Sequence, residues 1–295
     1  METLLGELRV VVASGHPRLL GLFDVFADEA LFARQWLSTS LLTLAPGARV
    51  LEVGAGLMLV SCQLVREGFQ VSALEPVGDG FSAFLELQQV VLAHAHSQGY
   101  APAVLALPVE RLDLVAAFDF AFSVNVMEHI DDVPLALSNI ARALAEGGSY
   151  RFTCPNYLFP YEPHFNIPTL FSKRLTEYVL GHRIRHSRRV EDQAGLWRSL
   201  NWINVLAIER ACRPLQGIRV MFDRALLGRT IQRVVSDPAF ATRRSGWVRV
   251  VARWMVRLRL HGILVHCPAI LQPIIDCTVA RTQATGAPAS GGMRK

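Results

Sequence analysis

The order of apolar and polar residues along the first half of the chain predicts strands that alternate with helices. Short apolar runs of strand length end at a charged residue, an asparagine or a proline, and they occupy residues 49–52, 70–74, 104–107, 118–124 and 149–154. Apolar residues at helical spacing lie between them, in the stretches 57–66, 81–96 and 131–144. This alternation is typical of a mostly parallel sheet with helices on both faces. We therefore predict a doubly wound α/β fold.

Helical patterns flank the predicted sheet on both sides. Residues 1–45 carry apolar clusters at helical spacing, which predicts a helical N-terminal cover over the sheet or the ligand pocket. The run 217–222 predicts a last, antiparallel strand, which would complete a seven-stranded domain at 46–223 with a substrate-cap insert at about 157–200. Residues 224–281 are then expected to form a helical C-terminal extension, followed by a disordered tail at 282–295.

The extension contains a basic amphipathic pattern. Arginines recur every four residues within 247–260, and an apolar residue follows each one: Arg249, Val250, Arg253, Trp254, Arg257 and Leu258. The next stretch, 262–280, is apolar but is interrupted by prolines and polar residues, so it is a poor transmembrane helix. We expect it to pack on the domain, to form a dimer or to sit in a membrane interface.

Charge is divided unevenly between the two halves of the chain. Residues 1–150 carry 7 arginines and no lysine against 17 acidic residues, whereas residues 151–295 carry 23 basic against 8 acidic residues. A basic half suits nucleic acid, an acidic substrate or an anionic membrane surface. The basic stretches lack the interleaved aromatic residues that grip single-stranded nucleic acid, so nucleic acid is the least favoured of these partners.

Cysteine usage and the N-terminal sequence bear on the cellular compartment. Five cysteines are scattered without the CxxC spacing of a zinc site or the pattern of a disulfide framework, which is typical of a reducing cytoplasm. The first residues lack the basic and apolar segments of a signal peptide. We expect a cytoplasmic protein whose basic C-terminal region also suits the inner face of the membrane, and a homodimer is left open.

The chemistry of the first half centres on a glycine turn after the first predicted strand. Glu52 closes that strand, and Gly54 and Gly56 let the backbone approach a ligand closely. Glu75 ends the second predicted strand, 19 residues beyond Gly56. At about this spacing an acidic side chain in dinucleotide-binding folds accepts hydrogen bonds from ribose hydroxyls.

Two further polar residues follow predicted strands and are candidates for the same ligand. Glu110 lies just beyond the third strand, and Asn125 directly follows the fourth. Ligands of such sheets bind at the carboxyl ends of the strands, which meet at one edge. We therefore predict that both residues lie near the bound ligand.

These segments together resemble the class I S-adenosylmethionine-dependent methyltransferases over about residues 45–156. The glycine turn, Glu75, the run from Phe118 to Ile130 and the pair Gly147-Gly148 carry the resemblance. It implies that S-adenosylmethionine is the cofactor, that Glu52 lies near its methionine part and that Glu75 binds its ribose. A nicotinamide-dependent oxidoreductase is the competing interpretation of the glycine turn, but it requires neither residues 125–129 nor Gly147-Gly148.

The chain departs from the family pattern at two positions. The family often has a third glycine where this chain has Met58. Near the adenine it commonly has Asp followed by Ala and Glu, where this chain has Pro108-Val-Glu110. The first departure narrows the turn, and the second leaves two interpretations of Glu110, as an adenine neighbour or as an acid of a helical turn.

A proline-rich aromatic loop at 155–168 contains the strongest candidates for substrate binding and catalysis. His164 is a candidate general base, because its ordinary pKa lies near working pH, and Glu162 would orient it. Glu162 would alternatively bind a cationic substrate with Tyr157 and Tyr161, and Asn156 is a further substrate candidate. The competing interpretation is an ordered loop whose histidine bonds a carbonyl group.

A second catalytic candidate is the pair Glu128-His129. The quinone-ring O-methyltransferases of this class have a similar Glu-x-x-Glu-His run that is implicated in metal binding and catalysis, but here its first position is Asn125. In this class the Glu-His pair more often caps the following helix and lines the pocket. We therefore list His129 as a catalytic candidate and predict no metal site.

The resemblance predicts an S-adenosylmethionine-dependent methyltransferase. The expected acceptor is an oxygen or nitrogen of a small, lipid-linked or sugar-linked molecule. Two alternatives stay open, a quinone-type O-methyltransferase and a catalytically silent protein that binds the cofactor and docks to a membrane or another protein.

Overall fold

The computed structural model of the protein describes residues 1–76, 83–188, 190, 192–237, 241 and 246–282. Its centre is a seven-stranded sheet with the strand order β3-β2-β1-β4-β5-β7-β6. The strands are β1 (Arg49–Val53), β2 (Gln70–Leu74), β3 (Ala103–Leu105), β4 (Phe118–Val124), β5 (Leu144–Pro155), β6 (Ile218–Phe222) and β7 (Ile274–Arg281). The described helices are α1 (Glu2–Gly15), α2 (Leu20–Leu41), α3 (Leu59–Arg66), α4 (Ala83–Ser97), α5 (Val133–Ala143), α6 (Lys173–Arg185), α7 (Gln193–Ser199), α8 (Val205–Cys212), α9 (Leu226–Ser236) and α10 (Gly246–Arg257).

The sheet is parallel from β3 to β5 and antiparallel where β7 pairs with β5 and with β6. The predicted fold class is therefore confirmed. Because β1, β2, β3 and β4 run in the same direction, their carboxyl ends meet at one edge of the sheet. The residues that follow these strands lie together there, although they are far apart in the sequence.

Helices cover both faces of the sheet, which explains why its strands are continuous apolar runs. Val50 and Phe120 pack in a cluster with residues of α1–α4, whereas Leu51 and Ala121 pack in a second cluster with residues of α5 and α8. Successive side chains of a strand point to opposite faces, so a strand buried on both sides is apolar at every position.

A buried ion pair connects the N-terminal helices to the sheet. Asp276 of β7 accepts hydrogen bonds from Arg151 Nε of β5 at 3.0 Å and from Trp36 Nε1 of α2 at 2.9 Å. Arg151 also donates to the Trp36 carbonyl oxygen and to Ser40 Oγ, and its guanidinium lies 4.5 Å from the centre of the Trp36 ring. This network fixes α2 against the antiparallel part of the sheet.

The structure corrects the prediction that the sheet is complete at residue 223. β6 is an edge strand and pairs with β7, and β7 lies between β5 and β6. The predicted helical extension at 224–281 was therefore wrong for its last residues, which form an internal strand of the sheet. Asp276 interrupts the apolar run of β7, and this acid is buried in contact with Arg151 and Trp36.

Residues 223–273 form a connection between two antiparallel neighbours, and we call this segment the β6–β7 connection. It contains α9, α10 and two short 3₁₀ helices, Leu260–His266 and Ala269–Leu271. The amphipathic helix predicted at 247–260 corresponds to α10. No helix among the described residues has the length and apolar content needed to cross a membrane. The predicted disordered tail, apart from Thr282, lies outside the described residues.

Candidate functional site

The glycine turn lies between β1 and α3 at the carboxyl edge of the sheet. The Gly54 amide donates to the Leu74 carbonyl oxygen at 2.8 Å, which ties the turn to the end of β2. Gly54 has φ +68°, and a Cβ there would lie 2.5 Å from Cγ2 of Val126. Gly56 has φ +53°, and the nearest described atom to a Cβ there is a ring carbon of Phe84 at 4.0 Å. The turn therefore packs tightly on the loop after β4 and is open at Gly56.

Met58 occupies the position where the family often has glycine. It precedes α3 with φ 60° and ψ 21°, in the left-handed region that costs an L-residue about 1–2 kcal/mol. Its side chain is buried in the apolar cluster formed with α1–α4. Burial of such a side chain stabilises by about 1.5–3 kcal/mol, which offsets the backbone strain. The departure from glycine is therefore tolerated because the methionine becomes part of the core.

Two carboxyl groups flank the glycine turn. Glu75 Oε2 accepts a hydrogen bond from the Gly56 amide at 2.8 Å, and the buried Glu52 accepts one from Ser61 Oγ at 2.5 Å. Burial raises the pKa of Glu52 to about 8, and the nearby charge of Glu75 acts in the same direction. Burial also raises the pKa of Glu75, against the effect of the Gly56 amide.

This arrangement fits S-adenosylmethionine. A carboxylate beside an open glycine can accept hydrogen bonds from two adjacent ribose hydroxyls. The positive charge of the cofactor would favour the ionised form of Glu52, which burial alone disfavours. The charge and hydrogen-bonding chemistry of the turn therefore match the cofactor that the family uses.

The other two predicted cofactor residues lie at the same edge with less defined contacts. Asn125 directly follows β4, is exposed and has φ 54°, and its amide donates to the Thr153 carbonyl oxygen at 2.8 Å. Glu110 lies in the short 3₁₀ helix Val109–Arg111, where its carboxylate accepts a long bond of 3.4 Å from the Asp132 amide. Glu110 thus lies in a helical turn, and its carboxylate is close to the start of α5.

A surface cleft at the opposite edge of the sheet does not belong to this site. It has a volume of about 420 Å³, and the first residues of four strands contribute to its lining: Arg49, Gln70, Ala103 and Phe118. In sheets of this kind, ligands bind outside the carboxyl ends of the strands. We therefore assign no cofactor to that cleft.

Glu162 and His164 form a hydrogen-bonded pair in the loop after β5. His164 Nδ1 lies 2.6 Å from Glu162 Oε1, which also accepts from the His164 amide at 3.1 Å. Glu162 Oε2 accepts from the Phe165 amide at 2.6 Å, and the carboxylate is fully buried. The ionised carboxylate can only accept a hydrogen bond, so Nδ1 carries the hydrogen, and in the neutral ring Nε2 carries the lone pair. The pair has the geometry of an oriented general base.

Glu128 and His129 lie beside this pair, in the short 3₁₀ helix Met127–His129 that follows β4. The rings of His129 and His164 are 5.7 Å apart. Glu128 is fully buried, and neither of its carboxyl oxygens has a hydrogen-bond partner among the described residues. His129 Nδ1 lies 2.9 Å from Ser199 Oγ, whose hydroxyl donates to the Leu196 carbonyl oxygen. A buried carboxyl without a partner is costly, so Glu128 is poised to receive a proton or a ligand.

The combined effect of burial and neighbouring charges raises the pKa of His164 and Glu128 and lowers the pKa of His129. Burial disfavours protonation of His164, but the hydrogen bond and charge of Glu162 outweigh it and raise the His164 pKa, with help from Glu128 and Glu29. Burial raises the pKa of Glu128 to about 7. Burial and the neighbouring His164 lower the pKa of His129 to about 4. His129 is therefore neutral at physiological pH, whereas His164 is the more basic imidazole.

The same three side chains are close enough to share a cation. One ligand atom each from Glu128, His129 and His164 lie within 4.8 Å of one another. Two imidazoles and a carboxylate form a donor set that suits zinc or another first-row divalent metal. No metal site was predicted from the sequence, because His164 is 35 residues from His129 and only the fold brings them together.

The three predicted substrate residues differ in their surroundings. Asn156 is fully buried, and its side-chain amide donates to the carbonyl oxygens of residues 269, 270 and 272, which gives it a structural role. Tyr157 is also buried, and its hydroxyl donates to Glu162 at 3.3 Å. Tyr161 is exposed and donates to Asn166 Oδ1 at 2.8 Å. Tyr157 therefore helps to hold the Glu162 carboxylate, and Tyr161 is the one of the three that solvent reaches.

Sequence reasoning missed several residues that complete the cluster. Ser199 holds the His129 ring, and Trp202 stacks on Tyr157 with ring centres 4.4 Å apart. Glu29 of α2 is exposed, and its charge raises the pKa of both His164 and Glu128, so α2 contributes to the electrostatics of the cluster. Ser199 at the end of α7 and Glu29 on α2 could not be recognised as site residues from the sequence, because serine and glutamate are common on helix surfaces.

Comparisons with known proteins identify the family of the chain. Residues 26–205 match a family model described as a methyltransferase domain. An uncharacterized protein of Mycobacterium tuberculosis is 44% identical over 281 residues, which is 95% of each chain. The ubiquinone biosynthesis O-methyltransferase of Paramagnetospirillum magneticum is 34% identical over 104 residues, 35% of this chain and 39% of that protein.

A solved structure with a similar fold is phosphoethanolamine N-methyltransferase 2 of Haemonchus contortus in complex with S-adenosyl-L-methionine. Its sequence is 17% identical to this chain and the TM-score is 0.47. The match covers 82% of this chain and 50% of that chain. The family match covers more than half of the present chain and includes β1–β5 together with the glycine turn and the Glu162–His164 pair. The chain therefore belongs to the class I S-adenosylmethionine-dependent methyltransferases, as its glycine turn and strand-end acids predicted.

Proposed function

We propose that this methyltransferase acts on an oxygen of its acceptor, with His164 as the general base and Glu162 as the residue that positions it. The observation that carries the proposal is the short hydrogen bond of 2.6 Å from His164 Nδ1 to a fully buried carboxylate. A hydroxyl must lose its proton as it accepts a methyl group, whereas a neutral amine reacts through a free lone pair. An oriented base therefore favours a hydroxyl over an amine.

The roles of the chain's own groups follow from their contacts. Glu52 and Glu75 at the glycine turn would hold S-adenosylmethionine, which would supply an electrophilic methyl group and retain on its sulfur the electron pair of the broken bond. The acceptor oxygen forms the new bond to carbon as its proton passes to Nε2 of His164. Glu162 keeps the ring oriented and stabilises the imidazolium, and Tyr157 donates to the same carboxylate. Neutral His129 and the protonated form of Glu128 offer further hydrogen bonds to the acceptor.

The groups around the proposed base give only a coarse guide to the acceptor. Tyr157 stacks on Trp202 with ring centres 4.4 Å apart, and Trp197 packs edge-on against Trp202 at 5.6 Å. Because Tyr157 and Trp197 are buried, these rings support the loop that carries Glu162. We propose a small, lipid-linked or sugar-linked acceptor with a reacting hydroxyl, and product analysis distinguishes these classes.

On the cofactor side, we propose that Glu75 binds the ribose and that Glu110 contributes less. Glu75→Gln is expected to weaken S-adenosylmethionine binding by about 10- to 100-fold, because a hydrogen bond to a charged group contributes about 1.5–3 kcal/mol. Glu110→Gln, the matched control, is expected to leave affinity nearly unchanged. Isothermal titration calorimetry of both variants checks this, and equal losses in the two variants would contradict the assignment.

The proposed function is tested by identifying the methylated product. Enzyme and isotopically labelled cofactor are incubated with an aqueous and a lipid extract, and labelled products are identified by mass spectrometry. We expect label on a hydroxyl oxygen, in a product that the Glu162→Gln enzyme forms more slowly. Label on nitrogen would overturn oxygen transfer, and cofactor binding without any labelled product would favour a silent cofactor-binding protein.

The cluster of Glu128, His129 and His164 supports a second candidate, a metal-assisted quinone-type O-methyltransferase. The specific observation is the 4.8 Å grouping of their ligand atoms. The two candidates differ in the response to chelation in the same assay. A rate that survives exhaustive chelation favours the metal-free base, and a rate restored only by a divalent metal favours the quinone-type enzyme.

A further inference from the structure

The β6–β7 connection is unusually long and unusually basic. Antiparallel neighbours can be joined by a turn of two residues, whereas the described part of this connection contains two α-helices and two 3₁₀ helices. Residues 223–273 contain nine arginines, whereas Asp223 and Asp237 are their sole acids. Asp223 is bonded to Arg229, and Asp237 is bonded to Arg233. Most of the positive charge of this segment is therefore left without a carboxylate of its own.

The outer face of α10 places basic and apolar side chains in adjacent rows. The arginine row consists of Arg249, Arg253 and Arg257, and the apolar row consists of Val250, Trp254 and Leu258. All six are exposed, and Trp254 and Leu258 are each 57% exposed. Because each apolar residue follows an arginine by one position, the two rows are about 100° apart around the helix. Ala252 is buried on the opposite side, where α10 packs on α9.

The apolar surface continues beyond α10 along the two 3₁₀ helices of the connection. Ile263 is 59% exposed and Leu271 is 60% exposed, and Leu260 and Val265 are exposed as well. Arg259, also exposed, adds a further positive charge next to this apolar surface. Exposed apolar side chains gathered in one segment, rather than scattered singly, indicate a surface that is covered in use.

We propose that the β6–β7 connection docks the enzyme on an anionic lipid membrane. An interfacial helix combines an apolar row, which enters the acyl boundary, with arginines that bind anionic headgroups. Tryptophan favours the headgroup level, and Trp254 is central in the apolar row. The arginines of α10 are long enough to bury their stems while their guanidinium groups reach the headgroups. Charge complementarity thus selects an anionic surface as the occupant.

The charge of this surface disfavours two other occupants. In a symmetric dimer the same patch meets itself, so the arginine row of one copy would face that of the other. Nucleic acid would match the arginines, but Val250, Trp254, Leu258 and Ile263 would then stay exposed or face phosphates. An anionic membrane is the partner that covers both rows at once.

The docking surface is connected to the loop that carries the base. The Asn156 side chain donates to carbonyl oxygens at 269, 270 and 272, at the end of the β6–β7 connection. Tyr157, the next residue, donates to Glu162. The membrane side of the enzyme therefore adjoins the catalytic loop, which suits an acceptor held in the lipid. The docking proposal rests on the connection alone and holds whether the acceptor atom is oxygen or nitrogen.

The test is flotation of the full chain with lipid vesicles. We expect the protein to float with vesicles that contain phosphatidylglycerol and to remain at the bottom of the gradient with vesicles of pure phosphatidylcholine. High salt is expected to release the protein from the anionic vesicles. Arg249→Gln with Arg253→Gln and Arg257→Gln is expected to lower the partition coefficient on the order of 100-fold, at about 1 kcal/mol per arginine. Trp254→Ser with Leu258→Ser is expected to abolish flotation at moderate salt.

A matched control removes the same charge elsewhere. Arg111→Gln with Arg198→Gln and Arg213→Gln changes three exposed arginines outside the connection, and it is expected to retain most of the binding. Circular dichroism and cofactor affinity establish that each variant is folded. Equal losses in the control and the α10 variant would overturn the proposal. The proposal would also be overturned if wild-type protein did not bind anionic vesicles, or if a short RNA displaced it from them. A wild-type dimer that dissociates in the α10 variants would overturn it as well.

Discussion

Replacing His164 by alanine is expected to lower kcat by about 10²- to 10⁴-fold, the usual contribution of a positioned general base. Cofactor affinity is expected to stay unchanged, because His164 lies in the loop after β5 and not at the glycine turn. Its Nε2 is the free basic atom of the pair, while Nδ1 is occupied by Glu162 at 2.6 Å. Single-turnover methyl transfer measured beside calorimetric cofactor binding separates the two effects.

The pH dependence of the rate reports the same pair. His164 accepts a proton only when neutral, so kcat/KM rises as pH increases through its pKa, which Glu162 holds above the ordinary value. Glu162→Gln removes that carboxylate charge, leaving burial to lower the His164 pKa. The acidic limb of the profile is therefore expected to move to lower pH, although the maximal rate falls because the ring is less well oriented.

A control histidine makes this test specific. His96 of α4 is exposed, and its Nδ1 bonds a carbonyl oxygen of its own helix at 2.8 Å. His96→Ala is expected to leave both the rate and the pH profile unchanged. If His164→Ala retained the wild-type rate, or if Glu162→Gln left the acidic limb in place, the base would have to be another group.

The sequence predicted the parallel half of the sheet well, and the physical reason is burial on both faces. β4 is apolar at nearly every position because α1–α4 cover one side and α5 and α8 cover the other, so its pattern admits one interpretation. β7 was missed because its buried Asp276 breaks the apolar run. A buried acid is acceptable only with its partners in place, and Arg151 and Trp36 are 125 and 240 residues away in sequence.

The same distinction applies to the site. Glu162 and His164 were predicted together because they are two residues apart in one rigid loop, so their contact is local. Ser199 and Glu29 were not predicted, because their places beside His129 and His164 depend on how the cap helices and α2 pack. A contact between residues close in sequence can thus be predicted from the sequence. A cluster assembled from four segments can be identified only once the fold is known.

The buried ion pair of Arg151 and Asp276 is expected to be the most sensitive point for stability. Asp276→Ala should lower the free energy of unfolding by about 3–5 kcal/mol, because it leaves the Arg151 charge buried without a counter-ion. Arg151 and Asp276 meet at 2.8 Å, and the aspartate side chain is fully shielded from solvent. Asp276→Asn keeps the volume but removes the charge, so it is expected to fall between wild type and Asp276→Ala in chemical denaturation.

The exposed pair of Arg49 and Asp119 in the same sheet provides the control. It meets at a similar distance, 2.7 Å, but its side chains are 42% and 38% exposed. Solvent screens such a pair, so Asp119→Ala is expected to destabilise much less than Asp276→Ala. Adding Arg151→Met to Asp276→Ala should recover part of the loss, since it removes the unpaired charge. Equal losses at Asp119 and Asp276, or no recovery in the double variant, would mean that the packing of β7, and not the ion pair, determines the stability of this half of the sheet.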